Sequence, residues 1–189
     1  SPMREVLDFY RSEILASDVL DRLSLTQRSY FLVSAHREEN VDSPIRLNLL
    51  LDCLTAVRQR WRLPVHVSTH PRTRKRVDAA GVSFHPRVQL LKPLGFHDYV
   101  KLQMSARAVL SDSGTISEEA SILSFPALNL REAHERPEGM EEAVAMLVGL
   151  NTERVRQGLA ILAAQPRGAD RGVRLVADYS MPDVSDKVV

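Results

Sequence analysis

The stretch Asp112-Ser113-Gly114-Thr115-Ile116-Ser117-Glu118-Glu119 follows directly on the apolar run Ala108, Val109, Leu110. A chain that leaves a buried strand and at once places hydroxyls, a glycine and carboxylates is building a polar site at the strand's end. If a helix begins near Gly114, its first N–H groups have no partner within the helix and its N-terminus carries partial positive charge, which suits a phosphate or diphosphate. Gly114 lets such a ligand approach the backbone, and Ser113 and Thr115 add hydroxyl donors. The same letters also read as a plain capping box, Thr115-x-x-Glu118. On this stretch alone both readings stay open. A serine nucleophile is not expected, because the G-x-S-x-G elbow is absent.

Three more segments carry residues apt for chemistry. His36, Arg37, Glu38, Glu39 and Asn40 follow the apolar run of residues 29–35. A histidine there can act as acid, base or anion contact, or simply be a hydrogen-bonded loop residue. His70 heads the basic run HPRTRKR, most of whose arginines a solvated helix face explains. Arg136 lies in HERPEG, where a forked guanidinium can hold two oxygens of a diphosphate, although a surface loop with local ion pairs has the same letters. No His, Cys, Asp and Glu spacing matches a metal site, and both G-x-G-x-x-G and the Walker A pattern are missing. No metal, NAD or ATP is therefore expected.

The elements that must position these residues alternate in type. Residues 4–23 have helical spacing through Val6, Leu7, Tyr10, Ile14 and Leu15. SYFLVSA (29–35) reads as a strand, and Ser43-Pro44 as the cap and first turn of a helix that carries Leu47, Leu50, Leu51, Leu54, Val57 and Trp61 on one face. LPVHVST (63–69) is a second strand, HPRTRKRVDAAG a loop leading to a short helix stopped by Gly81, and RVQLLKPL a third strand. FHDYVKLQMSA predicts a helix, RAVLSD a fourth strand, residues 114–123 a helix and PALNL a further strand. After the polar loop REAHERPEGMEE and the apolar AVAMLVGL, TERVRQGLAILAAQ closes the pattern as an amphipathic helix.

Strands apolar on both faces, alternating with helices, require a parallel sheet covered on both sides. Right-handed crossovers make that an α/β, doubly wound, Rossmann-like domain, in which every strand ends at the same rim. The polar segments 36–40, 70–74, 112–119 and 131–138 must then converge on one crevice.

Bulk properties narrow the rest. The chain has 189 residues, 44% of them hydrophobic and 26% charged, with a net charge of +1. That is ordinary globular composition with nothing that steers toward nucleic acid or an anionic membrane. The single cysteine, Cys53, falls in an apolar helical pattern and reads as a buried thiol. No run approaches the roughly 18 apolar residues of a membrane span and no signal peptide opens the chain, so a cytoplasmic location is expected. The opening Ser1-Pro2-Met3 reads as an internal cut, which suggests a fragment.

SAHREEN, STHPRTRKR, KPLGFHDYVKLQ, LSDSGTISEEASILSFPALNLREAHERPEGMEEA and LVGL, in that order over residues 29–185, resemble the non-hydrolysing UDP-N-acetylglucosamine 2-epimerase family. The resemblance is to the C-terminal half of those two-domain enzymes of glycosyltransferase-B-like arrangement. It is strongest to the branch that makes UDP-N-acetyl-L-fucosamine for capsule and O-antigen precursors, although HREEN and DSGT depart from the H-R-R-E-N and D-S-G-G of the commoner branch. It implies a helical lead-in over residues 1–28 and a C-terminal UDP-sugar-binding domain over residues 29–189. The N-terminal domain with the main acid–base carboxylates would then be absent, and the whole protein would be a homodimer.

The resemblance also implies roles. Ser113, Gly114 and Thr115 would bind the UDP diphosphate, with Arg136 assisting, and Glu119 would take the ribose hydroxyls. The segment around Tyr99 would pack on uracil. His36 would be the catalytic-site histidine, and Arg37 and His70 would border the cleft. The implied reaction eliminates UDP to a glycal and adds it back with C2 inverted, with no cofactor and no metal. Two other readings share the fold: a glycosyltransferase-B nucleotide-sugar domain, and a non-enzymatic nucleotide-sugar sensor.

Overall fold

The computed structural model describes residues 2–81, 84–132, 145–166 and 179. Six parallel strands form one sheet: β1 Phe31–Ser34, β2 Val65–Ser68, β3 Val88–Leu91, β4 Ala108–Ser111, β5 Ala127–Asn129 and β6 Ala145–Leu147. Their spatial order is β3-β2-β1-β4-β5-β6. The chain winds outward from β1 to β3, then returns to β4 on the other side of β1, so the order reverses between β1 and β4. This is the doubly wound Rossmann-like sheet that the alternation predicts, and its crevice opens at that reversal, outside the strands' C-terminal ends.

The helices that flank the sheet follow from the pattern of apolar positions. On one face lie α5 Pro44–Trp61, α6 Pro71–Ala79 and α9 Thr152–Ala164. Leu47, Leu50, Leu54 and Val57 of α5, Val77 of α6, and Val155, Leu159 and Leu162 of α9 bury against Phe31, Val33, Val65, Val67, Leu110 and Leu128. Helix α5 starts as the sequence predicts: Ser43 accepts a hydrogen bond from Arg46 N–H at 3.4 Å, and Pro44 occupies the first turn. Gly158 lets α9 close on the sheet, since a Cβ there would come within 2.9 Å of Leu128 Cδ2.

On the opposite face α7 Phe96–Ser105 and α8 Ile116–Leu123 cover the alternate residues of the same strands. Leu102, Ile116 and Ala120 pack with Leu32, Val109, Ala127 and Ala145, and Tyr179 joins them. The lead-in is not one helix over residues 4–23. It forms α1 Pro2–Phe9, α2 Arg11–Ala16 and α3 Val19–Arg22, with extended backbone at Ser17 (φ −58°, ψ 130°) turning the chain between the last two. The breaks let Leu7 and Ile14 fold onto Val100 of α7, while Val19 reaches the sheet-side core. Two other boundaries shift. Helix α6 begins directly at Pro71 rather than after a loop, and α8 begins at Ile116 rather than Gly114. A short α4 spans Glu38–Val41.

One core residue is costly. His66, in the middle of β2, is buried and both its ring nitrogens lack a hydrogen-bond partner. Its ring meets the edge of Tyr30, 5.7 Å away, and burial holds its pKa below the ordinary value of 6.5. The folded state therefore keeps this imidazole neutral while the unfolded chain takes up a proton below about pH 6.5. Stability is complete above that pH and falls as pH drops toward the folded pKa, by at most about 1.4 kcal/mol per unit. Urea unfolding of wild type and His66→Leu at pH 7.5 and 5.5 should show a smaller loss in the variant. An equal loss in both would mean that His66 is not the group that titrates.

Candidate functional site

The last residue of each of four strands is polar, and register places them side by side. Ser34 pairs with Ser68 on one side and Ser111 on the other, and Ser111 pairs with Asn129. This row forms the floor of the crevice. Above it, the loops after β1 and β4 meet where the strand order reverses.

Asp112 joins them. Its carboxylate has no exposed surface. It accepts from the backbone N–H of His36 at 3.1 and 3.2 Å, from that of Arg37 at 3.0 Å and from Asn40 Nδ2 at 3.0 Å. The Nδ1 atom of His36 lies 3.4 Å from Oδ1 of the same carboxylate. A buried charge persists only with such donors, so the turn carrying His36 and Arg37 is shaped around this group. The chain of contacts runs on: Asn40 Oδ1 accepts from Arg46 at 2.9 and 3.2 Å, and Arg46 lies 3.6 Å from Glu132, just after β5.

On the α7 and α8 side of the crevice the DSGT turn folds on itself. Ser113 N–H donates to Ser111 Oγ at 3.1 Å, Thr115 N–H to Ser113 Oγ at 3.3 Å, and the two hydroxyls of Ser113 and Thr115 lie 2.9 Å apart. Thr115 is the N-cap of α8 but makes no side-chain cap bond, so the capping-box reading fails at its threonine end. Its hydroxyl donates instead to Glu119 Oε1 at 2.7 Å, and Gln103 Nε2 donates to Glu119 Oε2 at 2.5 Å.

A cavity of about 320 Å³ opens over the ends of β1 and β2 and the start of α7, lined by Ser34, His36, Ser68, Thr69, His70, Pro93, Leu94, Phe96 and Tyr99. Larger hollows exist, including one between β6 and α9, but that one lies away from the polar row and is lined largely by apolar side chains. Burial drives the pKa of Tyr99 well above its ordinary value, against the opposing effect of hydrogen bonds from Ser34 and Gln103. The phenol stays neutral, with an apolar ring and one polar tip.

The structure thus brings together His36, His70 and Tyr99 in one cavity, with Arg37 on the turn above. Ser113, Gly114, Thr115 and Glu119 do not line that cavity; they follow Asp112, which bonds to His36 and so joins the two sets. Arg136 lies outside the described residues. Reading the sequence for side chains that meet a ligand misses Asp112, Asn40 and Gln103, which hold other site residues. Asp112 had a signal, since it sits one residue beyond a strand end, and Asn40 a weaker one, as the last residue of the polar segment 36–40 six residues past another; Gln103 had none, being one polar letter in an amphipathic helix. Among the described residues no group of three His, Cys, Asp or Glu side chains is placed to hold a metal ion, and no helix is long and apolar enough to cross a membrane.

The family model for UDP-N-acetylglucosamine 2-epimerase matches residues 1–189. A UDP-N-acetylglucosamine 2-epimerase of Methanocaldococcus jannaschii is 32% identical over 142 residues, 73% of this chain and 39% of that protein. The structure of UDP-N-acetylglucosamine 2-epimerase from Rickettsia bellii aligns with a TM-score of 0.80 at 42% identity, over 95% of this chain and 47% of that one. The Methanocaldococcus jannaschii enzyme in complex with UDP-GlcNAc and UDP aligns with a TM-score of 0.75 at 28% identity, over 85% and 46%. In each case this chain spans less than half the length of its relative.

The hydrogen bonds of Asp112 yield a direct expectation. Asp112→Ala leaves the N–H groups of His36 and Arg37 and the Asn40 amide without their acceptor, at a cost of about 2–5 kcal/mol. Amide hydrogen exchange should speed up at His36 and Arg37 more than in β1 or α5. Uniform loss of protection across the chain would show that Asp112 supports the whole fold rather than this turn.

Proposed function

Because the chain belongs to the UDP-N-acetylglucosamine 2-epimerase family, we propose that it forms the nucleotide-binding half of a UDP-N-acetylhexosamine 2-epimerase. In this reading an N-terminal domain carrying the main acid–base carboxylates faces it across the cleft, in a cytoplasmic homodimer. The sugar is that of the UDP-N-acetyl-L-fucosamine branch, which serves capsule or O-antigen synthesis. The observation that carries the proposal is the joint made by Asp112: where β1 and β4 diverge, the residue that begins the DSGT turn holds His36, which in turn lines one cavity with His70 and Tyr99.

Each group has work suited to its chemistry. The start of α8, with Ser113, Gly114 and Thr115, receives the diphosphate, and Arg136 adds a charged fork. Glu119 accepts from the ribose hydroxyls, and the Tyr99 segment supports the uracil ring. His36, steadied by Asp112, faces the sugar, with Arg37 and His70 at the cleft's border. The reaction is redox-neutral. A base removes the C2 proton, the C1–O bond breaks with its electron pair leaving on UDP, and a C1=C2 double bond forms. Re-addition of UDP at C1 with protonation of the opposite face of C2 completes the inversion. Donors around the diphosphate stabilise the charge that grows on the leaving group, the step in which fixed dipoles contribute most.

Titrating UDP and uridine into this chain by NMR tests the assignment. Shifts should centre on residues 99, 113–119 and 136. Arg136→Ala should weaken UDP roughly ten- to a hundredfold and leave uridine unchanged, as expected for loss of a charge-assisted contact of about 1.5–3 kcal/mol. Glu119→Ala should weaken both. An Arg136→Ala variant that loses uridine as strongly as UDP would refute the assignment. For the reaction, the full-length protein with UDP-sugar alone should exchange solvent deuterium into C2, while this chain alone should not. Transfer to an acceptor with no C2 inversion would point to a glycosyltransferase instead.

A further inference from the structure

The carboxylate of Glu119 is held from two sides by residues that belong to different elements. We propose that Gln103 and Thr115 are positioning residues, which fix the Glu119 carboxylate so that its remaining lone pairs meet the two adjacent hydroxyls of a ribose. The inference rests on the nucleotide reading above and adds to it the groups that make the ribose contact selective.

A carboxylate offers about four acceptor positions on two oxygens. Thr115 Oγ1 fills one on Oε1 at 2.7 Å and Gln103 Nε2 fills one on Oε2 at 2.5 Å. One position on each oxygen is left, the arrangement a vicinal diol requires. Without these donors a glutamate side chain turns about three bonds, and ordering it would be charged to ligand binding. Thr115 is itself fixed, through the hydroxyl of Ser113 at 2.9 Å.

Gln103 is the informative member. It lies on α7, buried to 1% exposure, and its Oε1 has no hydrogen-bond partner. An orphaned buried carbonyl oxygen costs stability that an apolar side chain of the same size would not. Packing alone therefore argues against an amide at this position. What the amide does is orient: its nitrogen serves Glu119. Tyr99 lies one turn earlier on the same helix, so α7 carries both the aromatic ring suited to a base and the amide that holds the acceptor suited to a sugar diol. That pairing is what distinguishes a nucleoside from a free phosphate or a free sugar.

Calorimetric titration of the purified chain with UDP and 2′-deoxy-UDP tests this. Wild type should prefer UDP about tenfold, the equivalent of about 1.4 kcal/mol. Gln103→Met should lower UDP affinity about five- to tenfold while leaving 2′-deoxy-UDP within about twofold, which collapses the preference; Thr115→Val, at a residue that also meets the diphosphate, should weaken both ligands but UDP about five- to tenfold more. Thr115→Ser, which keeps the hydroxyl, should restore the preference. Gln103→Met should melt no lower than wild type, because it removes the orphaned oxygen. If instead it fails to fold, the Thr115→Val and Thr115→Ser pair decides. Variants that lose both ligands equally, or that keep the preference, overturn the positioning role while UDP binding by wild type stands. A wild-type chain that ignores UDP overturns the nucleotide reading, and this inference with it.

Discussion

A carboxylate with no exposed surface must be surrounded by donors or it does not stay charged, and Asp112 meets that requirement by gathering backbone from another strand's loop. The geometry follows from topology. Strands β1 and β4 are hydrogen-bonded neighbours whose helices go to opposite faces, so nothing but their own loops fills the gap above them. Asp112, one residue past β4, closes that gap by bonding to His36 and Arg37, two and three residues past β1. The turn bearing the candidate catalytic histidine is therefore held by the same segment that begins the candidate diphosphate site. Displacing either half of the crevice would strain the other, and the Asn40–Arg46–Glu132 contacts extend this dependence to the loop after β5.

Much of this architecture is legible in the letters because the physics behind it is local or periodic. Apolar runs such as residues 31–33 and 108–110 can only be buried strands, and the leucines of α5 fall on one face. Alternation of the two then leaves a parallel sheet as the consistent answer. Convergence of the polar segments at one rim follows without any motif. The lead-in is helical, as its spacing predicts, but broken into three pieces, for a reason of the same kind. Periodicity through Val6, Tyr10 and Ile14 measures which positions are apolar, not whether the chain stays straight, and Ser17 turns the backbone so that two separate surfaces can be covered.

What stayed hidden depends on contacts between residues far apart in sequence. Thr115-x-x-Glu118 has the spacing of a capping box, yet the threonine hydroxyl reaches Glu119, because Gln103 on a neighbouring helix already holds that carboxylate in place. No reading of residues 112–119 alone contains that information. His66 shows the reverse case. In the sequence it is one polar residue inside a strand, and the structure gives it an aromatic edge and no hydrogen bond.

The acids at the crevice pose a question for any anionic ligand. Asp112 lies at the same rim as the start of α8, which carries Glu118 and Glu119 in its first turn, and a net charge of +1 supplies no general attraction. Binding a diphosphate there is feasible only if those charges are already committed. Asp112 is committed to three donors from the β1 loop, and Glu119 is committed to two, the Thr115 hydroxyl at the start of α8 and the Gln103 amide on α7. With Thr115 making no side-chain cap, the first turn is not sealed by its own N-cap hydroxyl. An anion approaching α8 then meets the partial positive end of the helix, with His36, Arg37 and His70 on the neighbouring loops. In the proposed reading Asp112 and Glu119 supply geometry, and the attraction for the diphosphate is left to the backbone at the helix start and the basic side chains of the neighbouring loops.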